Sequence, residues 1–509
     1  MINQASIKKM PFQLKHLIGI FAALCTFVGF LKVTYGHAAW LALGVIFVFL
    51  VTKKQSYALF VLVIMSALQI TSSVLVPVES ISFRLVGKSI PFILLFMLGT
   101  GGKHDSGGRL IWQPFILLFV YIGYMMLISF GGWAPMVSFL KIALFCVFLS
   151  ALLKGAKIIS CSRFDIGWIR ALLLAVCVFF IIGGVVSRFF PSIGFSFVIT
   201  SAEGYGQEWL DSIQQGAGPR LFSGMTNHSQ TLGPTMAVLG AFLMADYFTN
   251  YQKQSWLCLM LIITVPVLIY WSDSRTGLIA YILSMLLVSF FILRKKSIRG
   301  VEKRKFVMLG LCVLIVSLLA TIIIPEVREK TWQFIYKTDD IDRVEEQTGG
   351  TSDAIFMSRQ RKYEQEWGNF KAKPLFGNGF QVDELSRLYM QFDWWWLGGT
   401  AVIEKCFLPL MLLEEGGVIG AVAFLIFLFG LYHFCWVRGQ YVCFCSTFSA
   451  FLFINMGEAC FFATGAMGGF FWCMCICALI LDINRLSDRS NVVHFSFEKH
   501  AEDGGLFHR

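Results

Sequence analysis

Arginine, lysine and glutamate recur in this sequence at the ends of long apolar runs, where an ionisable side chain is costly and marks a candidate site. Arg275 lies in Ser272-Asp273-Ser274-Arg275-Thr276-Gly277, a turn with almost no loop between two apolar segments. A guanidinium presents a planar fork of N–H donors and suits bidentate binding of an anion such as phosphate. The plainer reading is an arginine snorkelling toward lipid headgroups. Arg220 opens a second stretch, Arg220 to Gln230, which is unusually polar for the start of an apolar helix and so must face protein or water. His228 in that stretch reads equally as a helix N-terminal hydrogen-bonding residue or as a proton acceptor. A third group is Arg359, Arg361 and Lys362, with Tyr363 and Trp367 spaced to share one helical face with Arg359. That face would hold Arg359 near a bilayer, although a charge run is more often a solvated surface. Lys141 stands alone in the middle of an apolar run; structural pairing and a site role both remain open. Glu404, Glu414 and Glu415 lie just before and inside the apolar run after residue 405, where a carboxylate is suited to general-base work. Asp340-Ile341-Asp342 has a metal-like spacing but sits in an acidic stretch and reads as solvated loop, so no metal site is assigned.

These residues need elements to hold them. Of the 509 residues, 57% are hydrophobic and only 14% charged. A water-soluble chain of this length could not hide so much apolar surface. Apolar runs separated by short basic loops indicate an all-α, polytopic integral membrane protein with about fourteen transmembrane helices. Residues 1–324 hold the first eleven spans and a polar loop near 188–224. Residues 325–405 form a large, mostly helical cap, 406–485 the last three spans, and 486–509 a tail. The cap carries 14 acidic and 11 basic residues, in a chain of net charge +11. Basic residues alternate by loop, and the densest run is Arg294 to Lys305. The positive-inside rule then places both termini in the cytoplasm and the cap and the 188–224 loop outside. The 14 cysteines fall almost entirely in apolar runs and read as small buried hydrophobes. The glycine-rich Gly101 to Gly108 lacks the order of a phosphate cradle and reads as a turn.

Four stretches together resemble the O-antigen polymerase and O-antigen ligase superfamily of bacterial membrane glycosyltransferases. They are Gly224 to Ser229, opening a span; the turn Ser274 to Gly277; Arg359 followed by Pro374-Leu375-Phe376-Gly377-Asn378-Gly379; and Glu415-Gly416-Gly417-Val418-Ile419-Gly420. The resemblance implies a saccharide on undecaprenyl pyrophosphate as donor, an acceptor of the same kind, and the lipid bilayer as a partner. It also implies a flippase and a chain-length regulator acting in the same process, with no nucleic acid and no cofactor. It places the protein in the bacterial inner membrane with its active site on the periplasmic face. Arg275, Arg359 and Arg220, with Arg361 and Lys141, would bind the pyrophosphate, and Glu404 or His228 would take the acceptor's proton. Ligases of the superfamily carry a histidine segment before the Glu-x-Gly helix. Here that segment reads Ile403-Glu404-Lys405-Cys406-Phe407-Leu408, which favours a polymerase. A ligase acting on lipid A core or protein is the alternative, and a lipid-linked sugar transporter the rival from another class.

Overall fold

The computed structural model describes residues 14–33, 57–71, 111–161, 167–189, 222–249, 256–294, 351–382 and 405–503, apart from single positions within them, and a few residues between 44 and 52. In chain order the helices are α1 (Leu14–Val33), α2 (Ala58–Ile70), α3 (Ile116–Ser129), α4 (Pro135–Cys161), α5 (Gly167–Phe189), α6 (Ser229–Thr249), α7 (Trp256–Trp271), α8 (Arg275–Arg294), α9 (Thr351–Ala372), α10 (Leu408–Arg438), α11 (Val442–Ile454) and α12 (Ala466–Asp503). Among the described residues there is no strand, only an isolated bridge between Thr71 and Thr226. The protein is thus a helical membrane protein. Among the described residues five helices, in α4, α5, α6, α10 and α12, are long and apolar enough to cross a bilayer, and six apolar ones are shorter. The expected spans near 88–100 and 306–324 lie outside the described residues, as do most of the expected cap and the Trp394 to Trp396 triplet. The span expected at 441–462 is shorter in the structure: α11 ends at Ile454, and an irregular hairpin follows. The last helix runs to Asp503, into the expected tail.

The bundle is organised around α6, which packs against α7, α8 and α11. Its sequence explains this position. Gly233, Ala237, Gly240, Ala241 and Ala245 give it a thin surface that lets neighbouring backbones approach. A Cβ at Gly240 would fall 2.8 Å from Val265 Cγ1 of α7 and 2.6 Å from Tyr281 Cε2 of α8.

An aromatic core fills the space between α3, α10, α11 and α12. Trp472 is wholly buried; its indole N–H donates to the Phe461 carbonyl at 2.7 Å, and its ring meets those of Phe115, Phe145, Phe448, Phe451 and Phe461. Edge-to-face pairs of this kind contribute about 0.5–1.5 kcal/mol each beyond burial. Phe462 continues the cluster to Tyr121, Phe424 and Phe380.

At one end of the bundle Asp246 of α6 accepts from Arg170 Nε at 2.9 Å and NH2 at 2.8 Å, and from Arg485 NH2 at 2.7 Å. Arg485 also donates to Asp482 at 3.2 Å. The other oxygen of Asp482 accepts the backbone N–H of Phe444 at 2.9 Å, satisfying one of the free donors in the first turn of α11. The candidate residues gather at the opposite end.

Candidate active site

Three segments meet at that end. The first is the turn between α7 and α8. Ser274 precedes the first helical residue, Arg275, and its hydroxyl accepts the Gly277 N–H at 3.2 Å, an N-cap that fixes the start of α8. The turn is pressed against α6 so closely that a Cβ at Gly233 would overlap the Ser274 side chain, and one at Gly277 the Gly233 backbone. Thr276 in turn fills the space beside Gly457. Arg275 is half-buried and leaves this rigid turn at the positive end of the α8 dipole. A cation there is opposed by about 0.3–1 kcal/mol. That cost suits a residue whose work is to meet an anion.

The second segment is the run 374–382, after α9. The third is α10. The Glu-x-Gly motif reads in sequence as one helix with a close-packing glycine face, and Gly416 and Gly420 do face α3: the Tyr124 hydroxyl donates to the Gly416 carbonyl at 2.8 Å. Gly417 departs from that expectation. Its φ of 62° and ψ of −170° break the helix, so the groups on either side lose their helical partners. The run 374–382 replaces them. The N–H groups of Val418 and Ile419 donate to the carbonyls of Pro374 at 2.8 Å and Leu375 at 3.4 Å. The N–H groups of Asn378 and Gly379 donate to the carbonyls of Glu414 and Glu415, each at 3.0 Å. Gly377 and Gly417, both with positive φ, let the two backbones touch; a Cβ on either would overlap the other segment's backbone. Irregular backbone at membrane depth is tolerated only where its polar groups are met in this way.

The rest of the run is held as tightly. The Asn378 carbonyl accepts from Trp133 N at 3.0 Å; Phe380 N donates to Ser129 Oγ at 3.3 Å, and its carbonyl accepts from Ser138 Oγ at 3.1 Å. Two buried ammonium groups take the next carbonyls: Lys141 donates to Gln381 O at 3.0 Å, and Lys405 to Val382 O at 3.2 Å. Gln381 itself has a φ of 50°, and its buried side-chain amide nitrogen meets no partner among the described residues. Such backbone costs about 1–3 kcal/mol and persists where its surroundings impose it.

Lys405 also joins the two glutamates. Its Nζ lies 2.9 Å from Glu415 Oε1, with hydrogen-bond geometry, and 2.9 Å from Glu414 Oε2, as an ion pair without it. Glu414 Oε1 accepts from Asn369 of α9 at 2.8 Å. Lys405, Glu414 and Glu415 are 4%, 1% and 0% exposed, so neither glutamate faces solvent as a ready base; both are spoken for by the lysine. Burial alone would push the Lys405 ammonium down, but the carboxylates of Glu414 and Glu415 more than reverse this and hold it above the ordinary lysine range.

A hairpin at 455–465 ties this assembly to the Arg275 turn. The Asn455 carbonyl accepts from Leu408 N at 2.9 Å, at the head of α10, and Gly457 lies against Thr276. The same hairpin supplies Phe462, whose ring is 5.2 Å from that of Phe380.

Residues 257–425 match the family model described as O-Antigen ligase. This stretch of the chain is similar to the O-antigen ligase family. The matched stretch is about a third of the chain. It begins with α7 and takes in the Arg275 turn, α8, α9, the docked run and the broken head of α10, the parts that build this end of the bundle. No curated protein matches the chain.

The site residues expected from sequence stand as follows. Arg275 is where its turn places it. Arg359 and Arg361 lie on α9, with their side chains outside the described residues; the helix expected around them is present, and Tyr363 of the same face meets Phe407, ring centroids 6.0 Å apart. Glu404 lies outside the described residues, next to Lys405, and Arg220 and His228 of the preceding region also lie outside them. Lys141 is turned to the Gln381 carbonyl, the structural pairing that its sequence left open. Sequence reasoning missed Lys405, which entered only as a neighbour of Glu404. The signal was present: it is the cation nearest in sequence to two adjacent glutamates at the head of an apolar run.

Proposed function

We propose that this protein is a membrane glycosyltransferase that joins oligosaccharide repeat units carried on undecaprenyl pyrophosphate, at the periplasmic face of the inner membrane, into O-antigen or exopolysaccharide. The observation that carries the reading is the docking of 374–382 into the Gly417 break, at the same end of the bundle as the capped Arg275 turn. It builds a rigid floor against Lys405, whose neighbour in sequence is Glu404. In the reaction an acceptor sugar hydroxyl attacks the anomeric carbon of the donor, and the bond from that carbon to the pyrophosphate oxygen breaks. The pyrophosphate leaves with concentrated negative charge. Guanidinium groups aimed at that charge lower the barrier, and Arg275, with Arg359 and Arg220, fills the role. Arg361 adds positive charge on the same helix as Arg359. Glu404 takes the hydroxyl proton, with His228 as the other acceptor in a polar motif.

The lack of histidine in 403–408 supports polymerisation over ligation. The description of the matched family as O-Antigen ligase supports the second reading, transfer of finished polymer to lipid A core or to protein. The test supplies purified protein in detergent and excess EDTA with an undecaprenyl-pyrophosphate oligosaccharide. A ladder of extended products is expected. Product only when lipid A core is added would assign the ligase reaction instead, and activity that returns only with Mg²⁺ would reject a metal-free mechanism.

A further inference from the structure

Arg188, in the last turn of α5, has no place in the site as the sequence reads it. An arginine near the end of a span usually reaches for lipid headgroups, and a helix C-terminus favours a cation in any case. Neither accounts for where this side chain goes. Its guanidinium carbon lies 5.7 Å from the centre of the Phe222 ring and 5.8 Å from that of Trp271. The two rings meet edge to face, with centroids 5.9 Å apart. Phe222 follows Arg220 by two residues, and Trp271 precedes Arg275 by four. The guanidinium is therefore held against the two stretches whose arginines are assigned to the leaving pyrophosphate.

The local backbone makes this a fixed arrangement. A Cβ at Gly224 would come 3.3 Å from Gly184 Cα, and Gly183 leaves room for Met225, so α5 and the segment leading into α6 are in close contact one turn before Arg188. Among the described residues Arg188 has no carboxylate partner, and the side chain is exposed. Ring contacts take up the face of a guanidinium and leave its N–H edge available. A phosphate or pyrophosphate oxygen pair suits that edge.

We propose that Arg188 is a further anion-binding residue of the donor site, stacked on Phe222 and Trp271 and presenting its N–H edge to the pyrophosphate of the lipid-linked donor. The inference rests on the glycosyltransferase reading and adds a cation from α5, outside the matched domain. The experiment measures binding of farnesyl pyrophosphate to the full chain in neutral detergent, for wild type, Arg188→Ala, Arg188→Gln, Arg188→Lys and Arg275→Lys. Arg188→Ala should weaken binding by roughly tenfold to a hundredfold. Arg188→Lys should recover part of that loss, and melting temperature should not change. Arg188→Gln, which keeps a planar group over the rings, serves if the alanine variant does not fold. The same proteins in nanodiscs with and without phosphatidylglycerol separate the two sources of phosphate. If Arg188→Ala binds farnesyl pyrophosphate as wild type does and loses only its response to phosphatidylglycerol, the residue serves a bilayer headgroup and the proposal is overturned. Equal binding by Arg188→Ala, with weakened binding by Arg275→Lys, overturns it while leaving the glycosyltransferase reading standing. A wild-type protein that does not bind farnesyl pyrophosphate removes both.

Discussion

Replacing Gly417 by alanine tests the arrangement on which the site depends. The residue adopts φ 62° and ψ −170°, a conformation that side chains other than glycine's hydrogen resist. That alone costs about 1–3 kcal/mol for alanine. A Cβ would also overlap the Leu375 carbonyl, so the run 374–382 must move away from α10. Moving it breaks the hydrogen bonds from Val418 to Pro374 and from Ile419 to Leu375, each worth roughly 0.5–1.5 kcal/mol net. The expected total is about 2–6 kcal/mol. Gly420→Ala is the control on the same helix. Its Cβ would lie 3.1 Å from the ring edge of Tyr124, which can give, and its backbone is helical, so a change within about 1 kcal/mol is expected. Size-exclusion of the fluorescently tagged proteins after heating gives the apparent melting points, and the ladder assay gives activity well below them. Gly417→Ala should lose transfer at temperatures where it is still folded. A variant as stable and as active as Gly420→Ala would refute the docked break as a feature of the working protein.

Lys405→Met should destabilise the protein by about 3–5 kcal/mol, because it leaves two buried carboxylates without their cation; the double variant Lys405→Met, Glu415→Gln should regain part of that in the same heating assay. The Lys405 ammonium is held above its ordinary range, so its contribution is complete below the unfolded lysine value and is lost only as pH rises through the higher folded value. This interaction should then add no pH dependence to the melting point between pH 7 and about 10. Arg275→Lys should lose most activity with unchanged melting, since a point charge does not replace the bidentate fork; wild-type turnover would reduce Arg275 to an anchor. Glu404→Gln should lower turnover by about a hundredfold to ten-thousandfold with donor binding kept; a loss under roughly tenfold would reject Glu404 as the base.

Much of this end of the bundle was legible in the sequence. The Ser274 to Gly277 turn announced itself as an arginine in a tight turn between two apolar runs; that Ser274 caps the following helix was seen only in the structure. Pro374 to Gly379 and Glu415 to Gly420 stood out by their glycines. What the glycines were for was not legible. A glycine that breaks a helix and one that lets a helix pass have the same letter, and only the partner segment, some forty residues earlier in the chain, distinguishes Gly417 from Gly420. Lys141 showed its cost but not its acceptor, because a backbone carbonyl leaves no mark in sequence. Lys405 was overlooked because its partners lie about two turns into the following helix. Arg188 looked like any arginine at the end of a span, since cation–ring contacts depend on where loops fold back. The overall helical class followed from composition. Composition alone does not set the count of spans, since helices as short as α2 and α11 are mostly apolar but fall below the length that marks a span.

The buried ionic network at the far end of the bundle bears on how the chain is put together. Arg170 and Asp246 enter the membrane early in synthesis, but Arg485, which completes the coordination of Asp246, is 239 residues further on. Asp482, which closes the first turn of α11, arrives with it. The early helices therefore hold an acid that lacks its Arg485 ion pair until α12 is inserted. Insertion of α12 is then a checkpoint: nascent chains stopped before residue 482 should stay loosely associated and be open to quality-control proteases, and the bundle latches when the final helix arrives.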